Sequence, residues 1–257
     1  MSVRTYNPSV RVGNWNEDIQ LEEDTLKDFL ARRERGELLI QRSAKLKSAA
    51  ARDVNLSISR DGFVHFGDIV MLTNPPPKDD SRKEGVLAIA GTPGGGAMVV
   101  GATQVKPSAR TTFVITPIGG GEGGQPLRYH EPFYLCTTDE EDKKYLCSER
   151  ATFQKCAKKS RHNEVSLTSE PSHLTEWRVE CFDPQYRLEM EHCNVLANTK
   201  LILLHQKTNE ALCLEALHTL RTPFGHEFEV STFTNLDSHK AESDTNHWVM
   251  TTGSPGQ

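Results

Sequence analysis

Four short apolar runs recur three times, in the same order, between residues 69 and 250 of this 257-residue sequence. The residues that align are Ile69, Phe133 and Leu201 in the first run, Leu87, Leu146 and Leu212 in the second, Val99, Val165 and Val230 in the third, and Phe113, Trp177 and Trp248 in the fourth. Successive copies are shifted by 59 to 71 residues. A repeated order of strand-length runs indicates three copies of one four-stranded unit.

The fold that best fits this repeat is an all-β β-trefoil with three four-stranded repeats. From Asn55 onward, short β-branched or aromatic runs alternate with clusters of Gly, Pro, Asn and Asp, and no helical period appears. In a trefoil, six strands close a short barrel and three hairpins cap one end, so that no long strand edge stays free. Another Greek-key barrel and a pair of small β-domains remain as alternatives.

Equivalent positions in a repeat have equivalent surroundings. Cys147 and Cys213 each follow an aligned leucine, which predicts buried or half-buried thiols rather than ligands. The aligned aromatic residues of the fourth run predict a three-fold core layer rather than a sugar-binding platform.

The residues before the repeat have a different character. Residues 1–16 lack a helical period and predict an extended N-terminal arm, and residues 17–51 predict a helical segment. We expect a first helix over 17–35, capped by Asn16, and a second from Glu37 to about Ala51, with Gly36 between them. Residues 52–257 then form the β-domain.

Charge is distributed unevenly along the chain. The net charge is −5, which argues against a dedicated nucleic-acid binder. Between residues 27 and 52, however, three acidic residues stand against a larger basic set, which comprises Lys27, Arg32, Arg33, Arg35, Arg42, Lys45, Lys47 and Arg52. Either these helices are solvated amphipathic helices, or they meet an acidic protein surface.

The sequence gives no sign of a secretory signal or a membrane span. The first fifteen residues have no apolar core region, and the longest apolar run, Leu201–Leu204, has the length of a strand. We therefore expect an intracellular protein with no membrane partner.

We also expect no metal, no cofactor and no catalytic residue. The six cysteines include no C-x-x-C pair, and reduced thiols are the default outside secreted proteins. The run at 119–124 satisfies G-x-G-x-x-G, but no helix is expected after it, and the run at 91–96 lacks the Lys-Ser or Lys-Thr of a phosphate loop. Both are predicted to be loops. The absence of any Q-x-W triplet argues against a ricin-type lectin.

Three stretches of the sequence resemble a family of axonemal proteins, the cilia- and flagella-associated proteins. They are RTYNPSVRVGNWNED at 4–18, GELLIQRS at 36–43 and DGFVHFGDIVMLTNP at 61–75. The Gly-rich stretches at 91–96 and 119–124 depart from the family pattern. The resemblance implies a MIR-like β-trefoil without transferase activity.

The same resemblance implies a location and a set of partners. It implies a microtubule inner protein, which would lie in the A-tubule lumen of the axoneme of a cilium or flagellum. In broader terms, this location belongs to the cytoplasm and cytoskeleton. There the protein would bind α/β-tubulin and neighbouring inner proteins, and would stabilise doublet microtubules for motility. The alternative is a cytoplasmic β-trefoil adaptor or a lectin-like binding module.

The arm is rich in the residue types that dominate protein interfaces. The candidate partner-binding residues are Arg4, Tyr6, Asn7, Pro8, Arg11, Asn14 and Trp15. Pro8 and Gly13 oppose helix formation, so an extended arm could run along a partner. The competing interpretation packs Tyr6 and Trp15 on the chain's own β-domain.

Overall fold

The structure of this chain is a computed structural model that describes residues 15–77, 82–91, 97–121, 123–139 and 142–253. The chain divides into two compact units, residues 1–45 and 46–257. The described part contains two α-helices in its N-terminal portion and twelve β-strands after them, which confirms the all-β prediction for the larger unit.

The two helices are separated by a turn at Gly36. Helix α1 is Trp15–Glu34 and helix α2 is Leu39–Ala50. The amide of Glu37 donates to the carbonyl of Arg32 (2.9 Å), and the amide of Gly36 donates to that of Arg33 (3.2 Å), in a Schellman motif. Gly36 has a φ of +71°, which glycine adopts without steric cost. The predicted interruption at Gly36 is confirmed.

The predicted helix starts need correction. Helix α1 begins at Trp15, so Asn16 lies inside the helix and is not its N-cap. A local preference of Asn for cap positions is worth only about 1 kcal/mol, and continuation of the helix by two residues outweighs it. Helix α2 begins at Leu39, because Gly36 and Glu37 are used in the turn.

The twelve aligned runs all lie in strands. The strands are β1 (Ile69–Asn74), β2 (Gly85–Gly91), β3 (Ala97–Ala102), β4 (Thr112–Pro117), β5 (Phe133–Thr137), β6 (Tyr145–Ser148), β7 (Asn163–Thr168), β8 (Glu176–Cys181), β9 (Lys200–His205), β10 (Glu210–Thr222), β11 (Gly225–Thr232) and β12 (His247–Thr251). Two 3₁₀ turns, Pro184–Tyr186 and Asp244–Asn246, lie between them.

The strand pairings form a ring and a cap. Strands β1, β4, β5, β8, β9 and β12 pair in that order, and β12 pairs with β1, so the ring is closed. The remaining strands form the hairpins β2–β3, β6–β7 and β10–β11. These hairpins also pair with one another through β3–β7, β7–β11 and β11–β3. All the pairings are antiparallel.

The aligned aromatic residues of the fourth run lie in the core. Phe113, Trp177 and Trp248 are fully buried in one apolar cluster, which confirms the predicted core layer. The Nε1 of Trp177 donates to the carbonyl of Leu146 (2.8 Å), and the Nε1 of Trp248 donates to that of Leu212 (2.9 Å). Because Leu146 and Leu212 are aligned residues of the second run, the two hydrogen bonds are equivalent.

A second three-fold feature closes a short cycle of backbone hydrogen bonds. Val64 donates to Val195 (3.0 Å), Val195 donates to Leu127 (2.8 Å), and Leu127 donates to Val64 (2.8 Å). All three side chains are fully buried. The residues three positions further on, all with positive φ, are Gly67, His130 and Asn198. This cycle joins the segments that lead into the first strand of each repeat.

The third hairpin is longer than the other two and carries three buried glutamates. Strand β10 spans 13 residues, and its pairing with β11 is irregular between Glu215 and Thr219. Glu227 forms an ion pair with Arg110, in the turn before β4. Glu229 accepts hydrogen bonds from two amides of the β6–β7 connection, and Glu215 binds the Nδ1 of His162 (2.6 Å). The third hairpin therefore holds connections that belong to the other two repeats.

Candidate protein-binding surface

Most of the predicted arm residues lie outside the part of the chain that the structure describes. They are Arg4, Tyr6, Asn7, Pro8, Arg11 and Asn14. Trp15 is the first residue of α1, and its side chain is likewise not described. The assignment of these seven residues to a partner stays a prediction.

Three arginines of the helical unit meet at the turn between α1 and α2. They line a pocket together with two carboxylates and one leucine, and we call it the arginine pocket. Its residues are Asp28, Arg32, Arg35, Glu37, Leu39 and Arg42. The turn at Gly36 reverses the chain, and the Nε2 of Gln41 donates to the carbonyl of Arg33 (3.0 Å) across it. The start of α2 is thus fixed against the last turn of α1.

The arginines of this pocket are neutralised to different extents. Arg32 makes two parallel contacts with Asp28, Nε to Oδ1 at 3.2 Å and a terminal nitrogen to Oδ2 at 2.8 Å, which is a bidentate pair. Arg35 reaches Glu37 only at 3.9 Å. Arg42 forms no ion pair with any residue that the structure describes. One guanidinium is satisfied, and two can donate hydrogen bonds to a carboxylate from outside.

Several apolar side chains of α1 are not covered within the helical unit. They are Ile19, Leu26, Phe29 and Leu30, and all four are exposed. Ile40, on α2, is 81% exposed. Exposed apolar side chains next to unsatisfied arginines are typical of a protein interface, whose centre is apolar and in which arginine is enriched.

The sequence shows that the helices are rich in arginine, but it does not predict that three of these arginines share one pocket. The net charge between residues 27 and 52 is visible in the sequence. Arg32, Arg35 and Arg42 converge because the chain turns at Gly36. The number of charges in a stretch of sequence does not reveal the geometry of that turn.

No group of His, Cys, Asp and Glu suited to a metal ion occurs among the described residues. The 119–124 run connects β4 to the segment before β5, and the amide of Gly124 donates to the carbonyl of Phe66 (2.7 Å), so the described part of this run is a loop. Residues 92–96 of the other Gly-rich run lie outside the description. None of the described helices is long and apolar enough to cross a membrane.

The cysteines differ in their surroundings. Burial raises the pKa of Cys213 to about 12 and also raises the pKa of Cys136 above its usual range. Cys147, which is half-buried, contacts the Ser166 hydroxyl (3.1 Å), and burial raises its pKa as well. Cys193 is exposed. The predicted burial of the aligned pair Cys147 and Cys213 is confirmed.

We expect iodoacetamide to modify Cys193 first in the native protein, and Cys136 and Cys213 only after unfolding. The thiolate is the reactive form, and at neutral pH a thiol with a pKa near 12 is thiolate in only about one molecule in 10⁵. Native mass spectrometry before alkylation checks the prediction of reduced, unliganded thiols. A stoichiometric zinc ion, or a mass deficit from disulfides, would contradict that prediction.

The sequence matches a family model described as "Cilia- and flagella-associated protein 161-like domain" over residues 96–253. Among curated proteins, the chain is 43% identical to cilia- and flagella-associated protein 161 of Danio rerio, with 98% of this chain and 90% of that protein covered. It is 42% identical to the Bos taurus protein of the same name, with 99% of this chain and 84% of that protein covered.

Solved structures share the fold at low sequence identity. A Caenorhabditis elegans protein of unknown function has a TM-score of 0.56 at 17% identity, and covers 76% of this chain and 98% of its own. The SDF2-like protein of Arabidopsis thaliana has a TM-score of 0.54 at 14% identity, with 76% of this chain and 99% of its own covered. The protein O-mannosyltransferase Pmt1-Pmt2 complex of S. cerevisiae has a TM-score of 0.54 at 17% identity, with 79% of this chain but 26% of its own covered.

Proposed function

Because the chain belongs to the cilia- and flagella-associated protein 161 family, we propose that it is a structural microtubule inner protein of axonemal doublets. In this proposal it binds α/β-tubulin and neighbouring inner proteins in the A-tubule lumen, and stabilises the doublets for motility. The observation that carries the proposal is the extent of the match. Relatives named for cilia and flagella align with 98–99% of this chain, so the alignment includes the arm and the helices as well as the β-domain.

The chemistry of the helical unit supports an acidic protein as the partner. Tubulin is acidic, and the arginine pocket has two guanidiniums that no nearby carboxylate fully satisfies. Arginine binds carboxylates through two parallel hydrogen bonds, which fixes orientation as well as adding affinity. The exposed apolar side chains of α1 supply the surface that would lose water in such a contact.

We propose that the β-domain, from residue 52, is a MIR-like β-trefoil. Three features support this assignment: the closed ring of six strands, the three mutually paired hairpins, and the three-membered hydrogen-bond cycle of Val64, Leu127 and Val195. No enzymatic activity is proposed, and the names of the relatives include none.

A rigid β-domain joined to an extended arm suits a protein that must hold one position on a repeating lattice. Two surfaces on one chain bind more tightly than either alone, because binding of the first raises the effective concentration of the second. Ordering an arm costs about 1–2 kcal/mol of backbone entropy per residue, so buried side chains must offset that cost. Tyr6 and Trp15 are the arm's candidates for this role.

The test is incorporation of a tagged full-length chain into doublets of ciliated cells that lack the endogenous protein. Cryo-electron microscopy of isolated axonemes should show the protein inside the A-tubule. We expect the Tyr6→Ala, Trp15→Ala double variant to be incorporated at least about thirtyfold less, since interface aromatics of this kind contribute about 2 kcal/mol or more. The melting temperature of the free protein should not change.

A matched control separates the arm from general effects. Tyr186→Ala removes a half-exposed aromatic of the β-domain and should leave incorporation unchanged. If the arm variant lowers the melting temperature by several degrees, and incorporation falls only in proportion, then Tyr6 and Trp15 pack on the chain's own β-domain. Density outside the A-tubule, or none in the axoneme, would contradict the proposed function itself.

The alternative is a cytoplasmic adaptor or lectin-like module. It predicts selective binding of the full-length chain on a glycan array, or a soluble partner recovered in place of axonemal localisation. Either result, together with loss of the axonemal signal, would favour the alternative.

A further inference from the structure

The strongest local concentration of positive charge in the β-domain lies in the connection between β6 and β7. We call residues 149–162, with the sequence ERATFQKCAKKSRH, the β6–β7 loop. It has five basic residues and one acidic residue, hence a net charge of +4 in a chain whose total is −5. The basic residues are Arg150, Lys155, Lys158, Lys159 and Arg161, and all are exposed.

The backbone of this loop is held in place by the third repeat. The two carboxylate oxygens of Glu229 accept hydrogen bonds from the amides of Lys159 (2.9 Å) and Ser160 (2.7 Å). His162 binds Glu215 and stacks on Phe233, with ring centroids 3.8 Å apart and planes nearly parallel. Since Glu229 and Glu215 are buried, the loop rests on fixed supports, and little ordering entropy remains to be lost on binding.

The loop is also fixed from within. The amide of Ala157, a buried residue, donates to the carbonyl of His162 (2.9 Å). The amide of Ala151 donates to the side chain of Asn163 (2.8 Å), and the amide of Thr152 donates to the carbonyl of Lys155 (2.8 Å). These bonds set the spacing of the cations before any partner arrives.

Most of the cations are not neutralised by the protein. Lys155 is the exception, because its Nζ lies 2.5 Å from Glu149. The contacts of Lys158 and Arg161 are with the sulfur atoms of Met98 and Cys156, which do not cancel charge. Arg150 and Lys159 form no ion pair within the part of the chain that the structure describes.

One apolar side chain of the loop lies between two of these cations in the sequence, since Phe153 follows Arg150 and precedes Lys155. Phe153 is 100% exposed, the most exposed large apolar residue of the described chain. Burying a phenylalanine ring that otherwise stands in water is favourable, because it removes apolar surface from water. A rigid loop that presents one aromatic ring among cations has the composition of an interface hot spot with a charged rim.

We propose that the β6–β7 loop is a docking surface for an acidic segment of a partner protein, with Phe153 inserted against an apolar residue of that segment. Charge complementarity indicates the kind of partner. Four cations of the loop have no neutralising carboxylate, so a partner that supplies acidic groups would complement them. A nucleic acid needs a continuous basic surface, whereas this protein is acidic overall and its basic loop is short. A loop of this size with one exposed aromatic residue is better suited to a short acidic peptide. The proposal does not depend on tubulin as a partner.

Fluorescence anisotropy with the full-length chain tests the proposal. The probe is a fluorescein-labelled polyglutamate peptide with a central leucine, and the reference probe has glutamine in place of every glutamate. We expect binding of the acidic probe that weakens as salt is raised. The variant Arg150→Glu, Lys159→Glu should bind it about tenfold more weakly, because each reversal replaces an attraction with a repulsion of similar size. Phe153→Ala should weaken binding several-fold without changing salt dependence.

The controls keep the outcome decisive. Lys207→Glu reverses a single exposed cation in the β9–β10 turn and should change binding less than twofold. If Arg150→Glu, Lys159→Glu unfolds the protein, the neutral variant Arg150→Gln, Lys159→Gln gives the same test with a smaller effect. Equal losses in the loop variants and in Lys207→Glu, equal binding of the glutamine probe, or tighter binding of an RNA oligonucleotide would each overturn the proposal.

Discussion

Replacing Arg110 by alanine is expected to lower the free energy of unfolding by about 3–5 kcal/mol, because it leaves a buried carboxylate without its cation. The side chains of Arg110 and Glu227 are only 10% and 5% exposed. The guanidinium also lies 3.8 Å from the centroid of the Phe224 ring, at the tip of the third hairpin. The Thr222 hydroxyl donates to Glu227 (2.5 Å) but supplies no charge. The variant therefore loses an ion pair and a cation–π contact together.

A double-mutant cycle separates the pair from the packing. We expect Arg110→Met with Glu227→Leu to recover most of the stability, since an apolar pair of similar volume avoids the desolvation of two charges. Urea denaturation followed by circular dichroism gives the free energies. Arg60→Ala, at an exposed arginine, is the control and should change stability by no more than about 0.5 kcal/mol. A cost for Arg110→Ala as small as that of the control would show that Glu227 is solvated.

Trp248→Ala is expected to cost a similar 3–5 kcal/mol, because it opens a large cavity in the aromatic core layer. Trp248→Phe should cost less, about 1–2 kcal/mol, from a smaller void and the lost hydrogen bond to Leu212. Phe113 occupies the equivalent place in the first repeat, so a phenyl ring is compatible with this layer.

The equivalent tryptophan supplies the comparison. Trp177→Phe removes the same kind of hydrogen bond, to Leu146, and should have an effect within about 0.5 kcal/mol of that of Trp248→Phe. Circular dichroism is the appropriate probe, since each substitution removes one of the three tryptophans and so changes the fluorescence signal itself. If both phenylalanine variants are as stable as the parent, the indole hydrogen bonds contribute nothing to stability.

The strands of the β-domain were predictable because each is a run of apolar or β-branched residues, and equivalent runs recur in order. The hydrogen-bond cycle of Val64, Leu127 and Val195 was not predicted. Each of these segments pairs through isolated β-bridges and not through a continuous strand ladder. Such a segment has no apolar run of strand length that would mark it in the sequence. The signal in the sequence is the set of three turns VHFGD, LRYHE and VLANT, at 64–68, 127–131 and 195–199. Each turn begins with one apolar residue of the cycle.

The candidate surfaces could be predicted only in part. The basic character of the helices is a property of composition, whereas the arginine pocket requires the turn at Gly36. The sequence does not single out the β6–β7 loop, because the chain as a whole is acidic and because the glutamates that support the loop lie more than fifty residues away in sequence. The start of α1 was misplaced because a cap preference at Asn16 is weaker than helix continuation.

The closure of the strand ring through β12 bears on how the protein is made. The Thr73 hydroxyl meets that of Thr251 across 178 residues of chain. During synthesis, β1 leaves the ribosome long before its neighbour β12 exists, so one side of β1 stays unpaired until β12 has been translated. Unpaired strand edges are sites of aggregation, and pairings this distant in sequence form slowly. Nascent chains of this protein should depend on chaperones, and a premature stop codon before residue 247 should yield a product that cannot close its ring and is degraded.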